Sequence, residues 1–286
     1  MVALTGAERP AILINQPKCR DNRSAEGTRT EMKAPAFDYV RATTVAEACA
    51  LLAEHGPDAR ILAGGQSLLP AMNLRLASPS VLIDIGRISG LDAIEMRGDR
   101  LRIGALARHQ AVLRDGLVAR HVPLLAEALR HVAHPAIRAR GTIGGNLAHA
   151  DPASELPACM VALQAVMLAD SPRGTRRIAA EDFFTGLFQT ALAPDEMLTV
   201  VDIPLTGGSW FFEEIARRSG DYAIVGLAAC GSRLAFFSVG DRPVLRQAGE
   251  ALALDPPDDL QATAAMRAHL AGVLRDRALL ALGGTV

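Results

Sequence analysis

Aromatic residues are scarce in this 286-residue chain: one Trp, two Tyr and eight Phe make up only 4% of it, while 50% of its residues are hydrophobic. A core drawn from that pool is built mainly from Ala, Leu and Val. Cysteine is scarcer still. Cys19, Cys49, Cys159 and Cys230 stand far apart and form no C-x-x-C pair. That spacing argues against an iron–sulfur or zinc site carried by this chain and against a disulfide-stapled secreted fold. Incidental or buried thiols in a reducing cytoplasm fit it. Charge of one sign is missing too. With 30 basic and 31 acidic side chains the formal net charge is −1, which gives no electrostatic reason to expect nucleic acid or an anionic membrane surface as partner. The longest apolar stretch, Leu156–Ala169, contains Pro157 and Gln164 and falls short of the ~20 residues that span a bilayer. Neither G-x-G-x-x-G nor G-x-x-x-x-G-K-[ST] occurs, so an NAD-type or ATP-type site is unsupported. His131 and His134 flank a proline break and make a weak metal pair. No Ser/His/Asp or Cys/His triad is supported by spacing.

What the chain does have is glycine in pairs. Ala63-Gly64-Gly65-Gln66-Ser67 and Thr142-Ile143-Gly144-Gly145-Asn146 each follow residues that read as extended. Paired glycines let the backbone take φ > 0 and approach a ligand with no Cβ in between. Successive amides in such a turn form a nest for anionic oxygens. Ser67, Thr142 and Asn146 add side-chain donors. Two nests suit a diphosphate, which has two phosphates to hold. A lone Gly-Gly is ordinarily only a turn; the pairing of the two runs carries the expectation.

The first run continues as Leu68-Leu69-Pro70. The second is preceded by Arg140-Gly141 and followed by Leu147-Ala148-His149-Ala150-Asp151-Pro152. In this form the two runs resemble the FAD-binding subunit of the molybdenum hydroxylases, a family that includes bacterial carbon monoxide dehydrogenase and the flavin domain of xanthine dehydrogenase. The likeness extends from about Met32 to the C-terminus. It implies an α+β chain. Residues 32–207 would form a two-subdomain α/β FAD-binding domain of the PCMH/VAO-like flavin fold, divided between 86 and 87. Residues 208–286 would form a small C-terminal domain with a three-stranded sheet plus helices. The resemblance also implies non-covalent FAD held by Ala63, Gly64, Gly65, Gln66, Ser67, Leu68, Thr142, Ile143, Gly144, Gly145, Asn146, Glu155, Leu198 and Tyr222. It implies no catalytic residue and no metal ligand in this chain.

Several of these residues also have plainer readings. Glu155 matches an acidic residue near the adenosine or phosphate end of the flavin, and equally suits a helix start favoured by the dipole. Asp151 reads as a cap. Leu198 matches an aliphatic that packs on the ring system, and by itself is a core strand residue. Tyr222 closes Arg217-Arg218-Ser219-Gly220-Asp221-Tyr222, the family's third motif, and reads either as a flavin contact or as a surface tyrosine. His149 reads as support for the second loop rather than as a covalent flavin link. One departure stands out. Where the family places a lysine before the third motif, this chain has Glu213-Glu214. If that position touches flavin, the glutamates would disfavour the anionic reduced form and lower its potential.

Local signals order the rest. Thr44 with Glu47 makes a capping box for a helix whose apolar face carries Val45, Ala48, Cys49 and Leu52, and Gly56-Pro57 stops it. Strands are expected at Arg60–Ala63, Val81–Ile85, Leu101–Ala105, Ala165–Leu168 and Glu196–Ile203, with a hairpin at Gly174. Helices are expected at Leu68–Leu76, Ala107–Leu113, Leu124–Val132 and Glu155–Leu163, and Ile137–Gly141 leads extended into the second run. After a Gly207-Gly208 linker, Trp210–Arg217, Ala223–Cys230 and Leu234–Val239 supply strands and Leu260–Leu280 a helix. Against the family, this last piece looks shortened. It lacks part of a hairpin between Cys230 and Leu234, and a helix between Val244 and Asp255. Residues 1–31 read as a disordered extension, with an apolar stretch too brief for a signal peptide.

By resemblance, the chain is the medium subunit of a cytoplasmic complex, a dimer of heterotrimers. Its large subunit would hold molybdopterin and its small subunit two [2Fe–2S] clusters, and no membrane segment or nucleic acid is involved. Electrons would pass from the clusters through FAD to an external acceptor. Two other readings remain: a self-contained FAD-dependent oxidase, and a degenerate scaffold without flavin.

Overall fold

The computed structural model describes residues 33–205 and 207–283; the stretch expected to be disordered, 1–31, lies outside them. The first unit starts with β1 (Asp38–Arg41) and α1 (Val45–His55). Thr44 Oγ1 accepts the Glu47 amide, and the Glu47 carboxylate accepts from the amide and hydroxyl of Thr43. The capping box is therefore present, with its return bond one residue upstream of the cap. Gly56, at φ 53, ends the helix. β2 (Ala59–Leu62), α2 (Leu68–Asn73) and β3 (Val81–Asp84) follow. β3 lies between β1 and β2, parallel to both, with Val81 opposite Asp38 and Ala59. Ala48, Cys49 and Leu52 pack into the same core as Val81, Ile83 and Ile85.

The second unit is larger. In chain order it comprises β4 (Ile94–Arg97), β5 (Arg100–Gly104), α3 (His109–Arg114), α4 (Gly116–His121), α5 (Pro123–His131), α6 (Pro135–Arg138), α7 (Ile143–His149), α8 (Glu155–Ala162), β6 (Val166–Ser171), β7 (Gly174–Ala179), α9 (Ala180–Phe183), β8 (Phe184–Gly186), β9 (Gln189–Thr190) and β10 (Met197–Pro204). Its antiparallel five-stranded sheet has the order β4-β5-β10-β6-β7, and β8 and β9 form a separate small hairpin. One expectation fails here. Ile137–Gly141 is not an extended lead-in. Pro135 starts a helical turn, a position where its missing N–H is harmless, and the Ile137 and Arg138 amides bond to the His134 carbonyl.

The third unit has one strand more than expected. β11 (Trp210–Ile215), β12 (Val225–Cys230), β13 (Arg233–Phe237) and β14 (Val244–Gln247) form a four-stranded antiparallel sheet in sequence order. The hairpin expected to be incomplete is whole. Cys230 pairs with Arg233 across a two-residue turn, and Gly231 takes the left-handed conformation that such a turn needs. Between β14 and α10 (Ala264–Ala281) there is no helix. Thr263 caps α10, which lays Ala271, Leu274 and Ala278 against Val225, Leu227 and Phe236. The core is rich in Ala, Leu and Val as composition implies, but its largest fully buried side chains include Phe183, Phe236 and Phe237. Among the described residues no helix is long and apolar enough to cross a membrane.

Gly226 on β12 faces Phe237 so closely that a Cβ there would overlap the buried ring. Gly226→Ala should therefore cost about 1–3 kcal/mol through overpacking. The urea midpoint should drop at unchanged slope; a midpoint equal to the parent's would mean the ring moves aside freely.

Candidate functional site

A cavity of about 950 Å³ opens where the three units meet. Its first wall is the turn from β2 into α2. Gly65 has φ 72, a conformation that only glycine takes without strain. The amides of Gly64, Gly65, Gln66 and Ser67 have no acceptor among the described residues. Gln66 Nε2 donates to the Gly64 carbonyl at 3.1 Å, and the Ser67 hydroxyl makes no capping bond. The first run is thus an open row of donors, as its sequence suggested.

The second run is built differently. Thr142 is the N-cap of α7: its Oγ1 accepts the Gly145 amide at 3.1 Å, and its carbonyl accepts that of Asn146. The Ile143 and Gly144 amides bond to the carbonyls of Ala107 and Ala105. Gly144 and Gly145 are helical, with no positive φ, so this run is no second nest. Its glycines serve close packing instead. A Cβ on Gly144 would overlap Ala105, and one on Gly145 would stand 2.7 Å from Thr142 Oγ1 and 3.7 Å from Ala63 Cβ. Across the seam, a Cβ on Gly64 would overlap the Arg140 carbonyl oxygen. The two runs therefore meet as expected, through glycine surfaces rather than through two sets of amides.

Every residue of the anticipated set except Ile143 lines the cavity. Ile143 is fully buried in the core of the second unit. Asn146 Oδ1 accepts from Ser154 Oγ at 3.0 Å, which ties α7 to the start of α8. Leu198 lies on β10 and Tyr222 on the loop before β12, its exposed ring near Asp151. Although the residue is 60% exposed as a whole, partial desolvation of its hydroxyl and that carboxylate push the Tyr222 pKa up to about 12. His149, at the end of α7, packs on Phe188 with ring centroids 5.1 Å apart, and burial lowers its pKa.

Glu155 begins α8 and is 8% exposed. Burial pushes its carboxyl up to about 8, and the Glu214 carboxylate adds to the effect. It is a helix-start residue and a cavity residue at once. Glu214 is not in the cavity wall. It turns inward from β11, where Oε1 meets His131 Nδ1 at 3.2 Å, while Glu213 pairs with Arg277. A charge of Glu214 directed at the flavin therefore has no support in the geometry; what it faces is His131, whose pKa it raises.

Sequence reasoning missed Phe188 and His109. Phe188 sits at the tip of the β8–β9 hairpin at φ 53, strained for a residue with a side chain. Strands of three and two residues leave too short a pattern to read. His109 is buried beside Gly141, and burial pushes it down to about 4, so it is neutral. Its single occurrence on α3 carried no motif.

Residues 35–206 match the family described as the FAD binding domain in molybdopterin dehydrogenase. The caffeine dehydrogenase subunit beta of Pseudomonas sp. (strain CBB1) is 40% identical over 280 residues, covering 87% of this chain and 95% of that one. The nicotine 6-hydroxylase medium subunit of Paenarthrobacter nicotinovorans is 47% identical over 197 residues, 69% of each chain. Among solved structures, carbon monoxide dehydrogenase from Hydrogenophaga pseudoflava superposes with a TM-score of 0.82 at 34% identity, over 87% of this chain and 98% of that one.

Glu155 yields a stability test. Its carboxyl is raised from 4.5 to about 8 on folding, so between those values the folded state binds more protons than the unfolded. Stability must then fall as pH rises through the window, by up to about 1.4 kcal/mol per pH unit. Denaturant midpoints of the parent should decline relative to Glu155→Gln over that range, and parallel curves would show that Glu155 ionises as an ordinary carboxyl.

Proposed function

The chain belongs to the family of FAD-binding domains in molybdopterin dehydrogenases, and on that premise we propose that it is the electron-transfer flavin subunit of a molybdenum-containing hydroxylase complex. It takes electrons from iron–sulfur clusters in a partner, passes them through non-covalent FAD and delivers them to an external acceptor. The observation that carries this reading is the row of unpartnered amides at Gly64–Ser67, which faces the glycine surface of α7 across one cavity. That cradle fits a diphosphate, because oriented backbone amides hold anionic oxygens and glycine lets them approach.

Each part of the chain then has a defined task. Gly64, Gly65, Gln66 and Ser67 hold the diphosphate with amides and a hydroxyl, Ala63 and Leu68 flank them, and Gly144, Gly145, Thr142 and Asn146 shape the opposite wall. Leu198 and Tyr222 border the space for the ring system, with Met197 alongside. Bound FAD supplies the redox chemistry, and the chain supplies position and environment. Ile143 contributes through the core that supports α7. The partners are a large molybdopterin subunit and a small subunit with two [2Fe–2S] clusters, in a cytoplasmic dimer of heterotrimers. The relatives' names, which call them subunits or medium chains, support a place in a multi-subunit complex. The three larger sheets, one in each part, support a division into 32–86, 87–207 and 208–286.

Gly65→Val places a branched side chain at φ 72 beside the open amides. The purified variant should carry little FAD by visible absorbance. Gly98→Val introduces the same strain at φ 61 in a turn with nothing within 4 Å and should keep its flavin. Equal flavin content in both would remove the first run from the cofactor site.

The isolated chain, loaded with FAD, should show no substrate-dependent bleaching of the flavin with N-heterocycles, aldehydes or carbon monoxide. The basis is the lack of any molybdenum or cluster ligand set in its sequence. Rapid bleaching by the pure chain would instead favour a self-contained oxidase.

A further inference from the structure

One buried carboxyl group, Glu155, stands in the cavity wall and a second, Glu214, acts on it from outside that wall; the binding mode described above gives neither a task. The Glu214 side chain is 5% exposed. Oε1 is engaged by His131 Nδ1, while Oε2 is buried and has no partner among the described residues. Glu155 forms part of the cavity wall from the first position of α8. The charge of Glu214 acts on Glu155, and both act on the buried Cys159 thiol one turn along α8.

The other charged groups around Glu155 do little to relieve it. Asp151 adds a further negative charge, and Tyr222 stands against Asp151. His131 opposes them from α5, but Glu214 and Glu127 of the same helix already claim it. His149 on α7 is disfavoured as a cation by burial. At the far end of α8, Arg233 is bound to Glu181 and to the Val161 carbonyl. The Ser154–Asn146 hydrogen bond ties the start of α8 to α7, whose Gly145 faces Ala63, so a diphosphate held at Gly64–Ser67 shares the cavity with a carboxyl group whose surroundings already resist a second negative charge. Like charges in a poorly solvated site do not both ionise cheaply.

We propose that FAD binding in this cavity is coupled to protonation of Glu155, with the Glu214–His131 pair setting the pH at which the coupling acts. The inference rests on the FAD reading above. The neutral carboxyl tolerates a diphosphate in the same poorly solvated cavity, whereas the ionised form opposes it by like-charge repulsion. The sign follows from linkage: a ligand that prefers the protonated form binds less well once the free protein's carboxyl ionises. With that midpoint near 8, affinity should hold below it and fall above it, by up to about tenfold per pH unit.

The test uses the full chain, stripped of flavin and titrated with FAD by fluorescence between about pH 6 and 10, with proton uptake followed by an indicator dye in weak buffer. The parent should bind with constant affinity to about pH 8 and progressively more weakly beyond, taking up a fraction of a proton per FAD. Glu155→Gln should bind with no such break and no uptake. Glu214→Gln should move the break to lower pH, since one like charge is gone. FAD binding with the same pH slope in the parent and Glu155→Gln, or parental binding without proton uptake near the break, would overturn the coupling and leave the FAD site standing. A break unmoved in Glu214→Gln would overturn the part given to the pair. Failure of the parent to bind FAD at any pH would overturn the FAD reading itself.

Discussion

The site depends on a seam of close approaches that only glycine permits. Gly64 lies against the Arg140 carbonyl, Gly144 against Ala105, and Gly141 against the His109 ring. A carbonyl oxygen held by its own chain cannot yield as a flexible side chain can, so an added methyl here would have to move main chain. This close approach brings the end of β2, from the parallel sheet, to the junction of α6 and α7, which packs on the antiparallel sheet. The cavity is the space left beside that contact. Its shape follows from residues that are absent as side chains.

Electrostatically the cavity is lopsided. One wall offers a row of amide hydrogens, from buried Gly64 to exposed Ser67, that no acceptor among the described residues satisfies and that an anionic ligand would engage. The amides of the facing glycine run are already engaged, by Ala105, Ala107 and Thr142. A third side holds Glu155, whose ionisation is opposed by burial and by the charge of Glu214. Open donors on one side and a buried carboxyl group that resists ionisation on another both suit an anion between them. Under the proposed coupling Glu155 does so only while it keeps its proton.

The third unit matters through its loops. Arg267 of α10 is buried and donates to the carbonyls of Ile224 and Ser238, which pins the approaches to β12 and from β13. The Ser238 amide in turn bonds to the Pro152 carbonyl, beside the start of α8. Gly220 sits so close to His134 that a Cβ would meet the imidazole, and it takes φ 85 to do so. The loop with Gly220 and Tyr222 is thereby fastened to the second unit. Glu155, Tyr222 and the second run keep their relative positions through contacts made at and beside the cavity rim.

The sequence by itself determined where glycine had to be, and with it the cradle. It also set the capping box at Thr44, most strands of the two larger sheets and the family to which the chain belongs. These are local properties: a Gly-Gly pair, a cap residue or a beta-branched run acts within a few residues of itself, so its consequence can be read without knowing the fold. Tertiary structure decided the rest. It wound Thr142–Asn146 into a helix start, because Ala105 and Ala107 presented carbonyls to the second run and not to the first. It made β14 a strand by offering it the open edge of β13. It turned Glu214 from the cavity toward His131, eighty-three positions away in the chain. It also gave Glu155 its shifted acidity, since desolvation is set by everything that packs around a group, and no window of sequence contains that.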